Sequence, residues 1–519
     1  MAPRAAYYLS TPIYYVNDSP HIGHAYTSLA CDVLARFMRL DGRDVMFLTG
    51  TDEHGQKVQK SAIAAGMEPQ DFVDQVSERF RALGGVMGYS NDDFIRTTEE
   101  RHTRSCQELW RRIADNGHIY LDKYAGWYSV RDEAFCTEAE VRDGPEGGKV
   151  TVADGSPVEW VEEPSYFFRL SAWQEPLLEF YEKNPQAVAP ESRRNEVISF
   201  VSGGLNDLSV SRASLKWGIP VPGAPDHTMY VWLDALTNYI SAAGFPDTGC
   251  DTWRTYWPAD LHMVGKDILR FHAVYWPAFL MAAGVEPPTR VFAHGWWTNE
   301  GQKMSKSLGN VIDPHQIVAH YGLDAVRYFL LRALPFGSDG DFSHRAIVGR
   351  MNDDLANDYG NLAQRVLTMA YRNCGAAVPE PGAFTAADEA LLGAAEALVE
   401  TVKADIGEQG FHRALIHIWE VVGQANRYVD EQAPWVLRKE DPARMATVLY
   451  VVMETLRHLA VLTQAFMPDS SGRMLDQLGV AAEARELAAL GAEGRLAPGA
   501  PLPKPAPVFP RFVEDSPDS

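Results

Sequence analysis

The order of apolar patterns in the first fifty residues allows few folds. Residues Ala5 to Thr11 are rich in aromatic and β-compatible side chains, which predicts a strand. A loop with turn residues follows from Pro12 to Pro20, and apolar residues then recur at helical spacing from Ile22 to Phe37. A second short apolar run extends from Asp44 to Leu48. Strand, loop, helix and strand in this order predict a βαβ unit, and therefore an α/β fold around a Rossmann-type parallel sheet.

A chain of 519 residues is too long for one ordinary core, so we expect two or three domains. After the βαβ unit come short strand-like runs with glycine and proline turns, later a long helix-periodic region, and finally closely spaced prolines. The predicted units are a sheet domain in two halves (1–117 and 227–290), an inserted connective domain (118–226), a connecting region (291–349), an all-α helix bundle (350–496) and a proline-rich tail (497–519). Phe509 and Phe512 are expected to pin part of this tail onto the body.

Two histidines stand at the start of the first predicted helix. His21 and His24 are three residues apart and therefore lie on the same side of the helix. The free N–H groups and positive dipole end of a helix N-terminus favour an anion, and two imidazoles add donors for a phosphoryl group. Gly23 between them lets an adenine ring approach the backbone. The alternative is a chance histidine pair at a helix cap.

A glycine-flanked loop, Gly301 to Gly309, carries Lys303, Ser305 and Lys306. Such a loop can bring two ammonium groups onto a triphosphate at the transition state, without covalent catalysis. The alternative is a solvated basic loop. In this chain order, the histidine and lysine motifs together resemble the two signatures of the class I aminoacyl-tRNA synthetases. The resemblance implies His21, His24, Lys303 and Lys306 as catalytic residues, and His21, Gly23, His24, Asp267, Lys303, Ser305 and Lys306 as ATP ligands.

The segment Thr51-Asp52-Glu53-His54-Gly55 follows the second strand and is typical of the methionyl-tRNA synthetase family. The resemblance implies that Asp52 holds the α-ammonium of methionine, whereas the alternative is an aspartate that caps the next helix. It also implies an aromatic and apolar box for the thioether, with the Tyr239 hydroxyl and the Ile13 N–H directed at the sulfur. The implied methionine-binding residues are Ile13, Tyr15, Asp52, Trp232, Ala235, Leu236, Tyr239, Ile268, His272, Tyr275 and Trp276. Leu236 and Tyr275 depart from the proline and phenylalanine of some family members, which affects the shape of the pocket wall.

The helical region resembles the family's anticodon-reading segments at Tyr359 to Arg365 and at Asp430 to Trp435. Asn361 and Arg365 are one turn apart on a helix and can hydrogen-bond base edges, while Trp435 offers a plane for an unstacked base. The alternatives are an ordinary surface pair and a core tryptophan. Specific motifs extend over about residues 1 to 440. The bundle is therefore expected to bind the anticodon, and the 291–349 region, with its lysine loop, to contact the tRNA stem.

Composition bears on partners and location. The net charge of −22 counts weakly against a nucleic-acid partner, because an acidic protein can still carry a local basic groove. Five scattered cysteines without a Cys-x-x-Cys pair indicate reduced thiols in the cytoplasm. Many members of the family that this chain resembles bind zinc through paired cysteines in the insertion, whereas this chain has only Cys136 between residues 124 and 141, so we expect no zinc. No stretch has the character of a signal peptide or a membrane span. We expect ATP with Mg²⁺ held by its phosphates, methionine, initiator and elongator methionine tRNAs, and a monomer.

Two other functions remain open from the sequence. A different class I synthetase, or a shorter nucleotidyltransferase with the same histidine motif, would keep the adenylyl chemistry with another substrate. A non-catalytic tRNA-binding relative is expected to have lost motif histidines or lysines, and none is lost here. The sequence therefore favours ATP-dependent formation of methionyl-adenylate with release of pyrophosphate, followed by transfer to the 3′-terminal adenosine of tRNA.

Overall fold

The computed structural model describes residues 5–16, 19–129, 131, 134–144, 147–299, 302–303 and 311–514. The first part contains β1 (Ala6–Ser10), β2 (Tyr14–Tyr15), α1 (Ile22–Leu40), β3 (Asp44–Asp52), α2 (Gln56–Ala64), α3 (Pro69–Met87), β4 (Asp93–Arg96) and α4 (Glu100–Asp115). The next part contains β5 (Ile119–Ser129), β6 (Ala134–Cys136), β7 (Val141–Asp143), β8 (Lys149–Thr151), β9 (Val158–Phe168), α5 (Gln174–Lys183), β10 (Val188–Ala189), α6 (Glu191–Ser202), β11 (Leu208–Ser209), β12 (Ser211–Arg212), β13 (Pro220–Val221) and β14 (Ala224–Met229).

The chain then continues through α7 (Val231–Leu236), α8 (Asn238–Ala242), α9 (Asp251–Tyr256), β15 (Leu261–Gly265), α10 (Trp276–Ala282), β16 (Val291–His294), β17 (Trp297–Asn299), β18 (Gln302–Lys303), α11 (Pro314–Tyr321), α12 (Leu323–Arg332), β19 (Gly340–Phe342) and α13 (His344–Arg350). The last part contains α14 (Asn361–Asn373), α15 (Ala386–Gly407), α16 (Phe411–Gln432), α17 (Pro434–Glu440), α18 (Pro442–Thr463) and α19 (Pro468–Gln477). Two π-helical segments, Phe271–Tyr275 and Met351–Gly360, precede α10 and α14.

A parallel sheet organises the first 300 residues. Its strands run in the order β10, β16, β15, β1, β3 and β2, and β4 pairs with β3. Each of these pairs is parallel, and Leu9 at the centre of the sheet lies between Phe47 of β3 and Leu261 of β15. This confirms the α/β fold predicted from the βαβ pattern. It also places the residues that follow β1, β3 and β15 at one edge, where open parallel sheets bind ligands.

The inserted stretch is less uniform than predicted. Its long antiparallel ribbon, β5 with β9, forms a four-stranded antiparallel sheet with β6 and β11. Strand β10 lies within the predicted bounds 118–226 but pairs in parallel with β16, so it belongs to the main sheet. The prediction of one continuous insertion is corrected on this point. Two residues of strand are too short to give a readable pattern in the sequence.

The helix bundle surrounds α18, a long apolar helix. It is long and apolar enough to cross a membrane by composition alone, but 94% of its most apolar window is buried inside the protein, as in a core helix. The tail after residue 497 is extended, and Phe509 packs against Tyr359 with ring centroids 5.4 Å apart. The N–H of Phe512 donates to the Asn352 side-chain oxygen at 2.8 Å. The tail therefore runs back over the body, as its two phenylalanines suggested.

Candidate active site

A cavity of about 1130 Å³ opens at the carboxyl edge of the parallel strands. The residues of the histidine motif and most of the predicted methionine-binding residues line it, together with part of the insertion. Those that line it and were predicted from the sequence are Ile13, Tyr15, His21, Gly23, His24, Asp52, Trp232, Ala235, Leu236, Tyr239, Asp267, Ile268 and His272. The fold thus brings together residues that are up to 259 positions apart, the separation of Ile13 and His272.

The two histidines form the N-terminal cap of α1. His21 Nδ1 accepts the N–H of Gly23 at 3.0 Å, and His24 Nδ1 accepts the N–H of His21 at 3.1 Å. Burial lowers the pKa of His21 and lowers that of His24 well below its ordinary value. Both rings are therefore neutral at pH 7, and because each Nδ1 is an acceptor, each ring carries its hydrogen on Nε2. They act as hydrogen-bond donors at a helix N-terminus and do not add full positive charges.

Gly23 is required by this cap. A β-carbon at residue 23 would lie 2.8 Å from the His21 ring, closer than such contacts occur. The two imidazole rings are 3.9 Å apart, so a side chain at residue 23 would displace the His21 ring from its place beside His24. The absence of a side chain at Gly23 therefore keeps the two rings in place, in addition to the close approach of a ligand that the sequence suggested.

Asp267 lies across the cavity from the histidines, in the turn after β15. Its Oδ1 accepts the indole N–H of Trp296 at 3.0 Å. Lys266, beside it, forms an ion pair with Asp339 at 2.6 Å and lies 4.4 Å from the centre of the Trp296 ring. Trp296 was not among the predicted site residues, although its position just before the lysine loop indicates a place near the site.

The lysine loop begins at the hairpin of β17 and β18. Thr298 pairs with Lys303 across this hairpin, so the backbone of Lys303 is fixed by the strand that follows the main sheet. Ser305 and Lys306 lie outside the described residues. Their assignment as ATP ligands stays a prediction from the motif.

Asp52 and Tyr15 lie side by side at the end of two paired strands. They are register partners in β2 and β3, and Asp52 is buried. The Tyr15 hydroxyl donates to the carbonyl of His54 at 2.9 Å. The turn that follows β3 is held in this way against the loop that precedes the histidines.

The opposite wall contains a hydrogen-bond chain with defined directions. His272 Nδ1 lies 2.9 Å from the Ile268 carbonyl, which can only accept, so Nδ1 carries the hydrogen of the ring. Burial lowers the pKa of His272 to about 4, so the ring is neutral and its Nε2 is an acceptor. The Tyr239 hydroxyl, 2.7 Å away, therefore donates to His272. This corrects the expectation that the hydroxyl hydrogen is directed at a thioether, because His272 already accepts it.

Two predicted box residues, Tyr275 and Trp276, do not line the cavity. Tyr275 and Trp276 follow Ile268 by seven and eight residues and would share its face in a regular α-helix, but Phe271–Tyr275 is π-helical and turns them away from that face. Trp276 packs behind Tyr239, with ring centroids 6.0 Å apart. Phe271 takes the place at the wall and stacks on Trp232 at 3.6 Å with an interplanar angle of 6°.

The comparisons with known proteins agree with this geometry. The family model described as "tRNA synthetases class I (M)" matches residues 7–367, and the one described as "Anticodon binding domain of methionyl tRNA ligase" matches residues 378–518. The chain belongs to the methionyl-tRNA synthetase family. Among relatives, the methionine–tRNA ligase of Mesorhizobium japonicum is 58% identical over 98% of this chain and 98% of its own length.

Solved structures of this family superpose closely on the chain. Mycobacterium tuberculosis methionyl-tRNA synthetase in complex with methionyl-adenylate is 55% identical and gives a TM-score of 0.96, covering 98% of this chain and 100% of that one. The free form of the same enzyme gives a TM-score of 0.90 at 51% identity, with 99% of each chain covered. The synthetase fold therefore extends over about 98% of the chain, including the helix bundle.

In the bundle, the structure brings the predicted anticodon residues of this synthetase-family chain onto one surface. The Arg365 guanidinium lies 5.9 Å from the centre of the Trp435 ring and 3.3 Å from Asp430. Asn361 begins α14 one turn before Arg365 and is exposed. Trp435 is 44% exposed, so it is not the core tryptophan of the alternative interpretation.

The insertion supplies cavity residues that sequence reasoning missed. Arg131, Cys136 and Glu140 line the cavity, and Glu140 lies 3.5 Å from Arg270, which also lines it two residues before His272. Nothing in their local sequence marked them, because their position depends on how the antiparallel ribbon folds back. Asn238, beside Tyr239, also lines the cavity and was missed.

Proposed function

We infer that this protein is a methionine–tRNA ligase, which activates methionine with ATP and then transfers it to tRNA. The observation that carries this inference is one cavity that joins a neutral histidine cap at a helix N-terminus to a buried carboxylate and an aromatic wall. The histidine cap suits a triphosphate, and the buried carboxylate with the aromatic wall suits an apolar α-amino acid. The M. tuberculosis relative, which superposes over its full length, is described in complex with methionyl-adenylate.

In the first step, a carboxylate oxygen of methionine attacks the α-phosphorus of ATP, and the bond from that phosphorus to the bridging oxygen breaks. The Nε2–H groups of His21 and His24 donate to the charge that develops on the phosphoryl oxygens. Lys303 and Lys306 of the lysine loop neutralise negative charge on the leaving pyrophosphate. When bound with ATP, mainly through the phosphate oxygens, Mg²⁺ would supply further positive charge at the same place.

Asp52 binds the α-ammonium of methionine, and the side chain extends toward Trp232, Tyr239 and His272. A carboxylate that accepts charge-assisted hydrogen bonds suits an ammonium group. The ends of the substrate are thereby fixed, and positioning of the carboxylate against the phosphorus supplies much of the rate.

In the second step, a hydroxyl of the 3′-terminal adenosine of tRNA attacks the carbonyl carbon of methionyl-adenylate, and AMP leaves. Asn361, Arg365 and Trp435 read the anticodon by hydrogen bonds and stacking. The substrates are the initiator and elongator methionine tRNAs, and the protein acts as a cytoplasmic monomer.

The decisive experiment is pyrophosphate exchange measured with each of the twenty amino acids in turn. Exchange with methionine alone supports the proposal. Exchange with another amino acid and not with methionine would change the substrate, and no exchange with any of them would favour a non-catalytic tRNA-binding protein. Charging of purified initiator and elongator tRNAs, and the mass in solution, test the remaining assignments.

A further inference from the structure

A buried carboxylate lies between two histidines just outside the cavity. The Oδ2 of Asp234 is 2.7 Å from His54 Nδ1, and its Oδ1 is 2.8 Å from His102 Nε2. Asp234 and His102 are fully buried, and the His54 side chain is nearly so. The three residues come from α7, from the turn after β3 and from α4. None of them contributes to the two chemical steps described above.

Asp234 is ionised at neutral pH. Burial alone would raise the pKa of its carboxyl, but the two histidines lower it to about 2. A charged carboxylate with no solvent around it must be held by donors on both oxygens. His54 and His102 supply one donor to each oxygen, and each bond is of the charge-assisted kind that fixes geometry most strongly.

Cys106 lies beside His102 and Asp234, and the candidate ligand atoms of these three residues lie within 4.8 Å of one another, a spacing compatible with a metal ion. Hydrogen bonding explains the cluster better. His102 Nε2 and Asp234 Oδ1 are 2.8 Å apart, whereas two ligands about 2.0–2.2 Å from a tetrahedral zinc ion would be separated by more than 3 Å. Burial also raises the pKa of the Cys106 thiol well above its ordinary value, so it is not the thiolate that binds zinc.

The hydrogen bond from His54 to Asp234 Oδ2 joins two walls of the proposed methionine site. His54 comes two residues after Asp52, the carboxylate assigned to the substrate ammonium. Asp234 itself stands in α7 between Trp232 and Ala235, both of which line the cavity. The bond from His54 to Asp234 therefore sets the distance between the ammonium end and the aromatic end of the pocket.

The His54 segment is also anchored on its other side. Glu53 accepts two hydrogen bonds from Arg96, at 2.7 and 3.0 Å, and one from Thr98 at 2.6 Å. Glu53 thus ties the segment Thr51–Gly55 to β4 and the turn after it, and His54 ties the same segment to α7. With both ties in place the segment cannot turn, so Asp52 keeps a fixed position relative to the sheet.

We propose that Asp234 is a positioning residue that, through His54, holds Asp52 at the correct distance from the aromatic wall and thereby tunes methionine recognition. This inference rests on the proposed function, since it assigns Asp52 to methionine. Asp234 does not touch the substrate. Its loss changes the length of the pocket while leaving the ATP site at the start of α1 unchanged.

The test compares variants that keep or remove single donors. Asp234→Asn and His54→Ala are expected to raise the KM for methionine in pyrophosphate exchange by about 10- to 100-fold, the effect of one hydrogen bond to a charged group. The KM for ATP is expected to stay within about twofold. His54→Asn places an amide N–H near the position of Nδ1 and is expected to restore most of the methionine affinity. The ratio of kcat/KM for methionine to that for homocysteine is expected to fall in Asp234→Asn and His54→Ala.

Asp388→Asn is the matched control. Asp388 is also a buried carboxylate, held by Arg444 at 2.7 Å and by Tyr428, but it lies in the helix bundle. This variant is expected to unfold at a lower temperature and to keep the wild-type KM for methionine. If Asp234→Asn does not fold, the pair His54→Ala and His54→Asn decides the question.

Three outcomes separate the proposals. An unchanged KM for methionine in Asp234→Asn and His54→Ala, with only a loss of thermal stability, would overturn the positioning role and leave the proposed function intact. Equal increases of the KM for methionine and for ATP would also overturn it, because the effect would then be general unfolding of the site. Failure of the wild-type protein to exchange pyrophosphate with methionine would overturn the proposed function itself.

Discussion

Replacing Arg327 with alanine removes a buried side chain that joins four parts of the molecule. Its guanidinium donates to the Asp32 carboxylate in α1 at 2.7 Å and to the Met87 carbonyl at the end of α3 at 3.1 Å. It also donates to the carbonyls of Ala465 and Phe466 after α18, both at 2.9 Å. The side chains of Arg327 and Asp32 are completely buried. This arginine therefore ties the helix of the histidine motif to the bundle.

The size of the effect follows from what the substitution leaves behind. Burial alone would raise the pKa of Asp32, but Arg327, Arg36 and Ser90 together lower it, and the last two remain in the variant. The carboxylate thus keeps donors, while three carbonyl groups lose theirs. A buried group without its partner costs about 1–3 kcal/mol, and one-sided removal of a buried ion pair costs about 3–5 kcal/mol. We expect Arg327→Ala to lower the free energy of unfolding by about 3–5 kcal/mol.

Urea denaturation followed by tryptophan fluorescence and by circular dichroism measures this loss, and agreement of the two probes checks that one transition is observed. Arg350→Ala is the control, because Arg350, whose side chain is 35% exposed, forms an i, i+4 helix pair with Asp354 at 3.0 Å that is worth about 0–1 kcal/mol. Charging of tRNA is expected to fall more than pyrophosphate exchange, since the tie positions the bundle. A loss below about 1 kcal/mol, equal to that of the control, would refute the reasoning.

The remaining predictions concern the chemistry, the anticodon surface, pH and metal. Lys306→Ala is expected to slow adenylate formation about 100-fold or more with little change in methionine binding, and wild-type rates would remove this lysine from the mechanism. Trp435→Ala is expected to raise the KM for tRNA about tenfold, since base stacking contributes about 1–3 kcal/mol, while exchange stays unchanged; its exposed neighbour Val436→Ala is the control. The free energy of unfolding is expected to fall as the pH drops from 6.5 toward 4, because His272 binds a proton in the unfolded chain but not in the folded one, where its pKa is about 4. His272→Gln is expected to make the stability less dependent on pH in this range, and an unchanged slope would contradict this explanation. After treatment with EDTA, Mg²⁺ alone is expected to restore activity, and a requirement for added zinc would contradict the zinc-free insertion.

The sequence predicted those features that depend on neighbouring residues. The strand before Pro12, the helix that begins at Ile22 and the end of that helix before Gly42 all agree with the structure, because turn residues and apolar period act locally. The positions of His21 and Asp52 at one edge of the sheet followed from the parallel topology.

Features that depend on distant contacts or on irregular geometry were not predictable. The π-helical segment changes which face Tyr275 presents, and spacing counted at 3.6 residues per turn cannot show this. The pairing of β10 with β16 and the approach of Glu140 to the cavity depend on contacts across 100 residues or more. The direction of the Tyr239 hydroxyl depends on which nitrogen of His272 carries the hydrogen, and only the position of the Ile268 carbonyl decides it.

The neutral state of the two motif histidines explains why the site needs a second motif. Buried rings with lowered pKa can donate hydrogen bonds to phosphoryl oxygens but cannot neutralise a leaving pyrophosphate. Lys266 and Arg270 at the cavity are each paired with a carboxylate, Asp339 and Glu140. In the proposed mechanism, the lysine loop and Mg²⁺ therefore bring positive charge to the leaving pyrophosphate. This division is compatible with an overall charge of −22, because the mechanism requires cations only at this edge of the sheet.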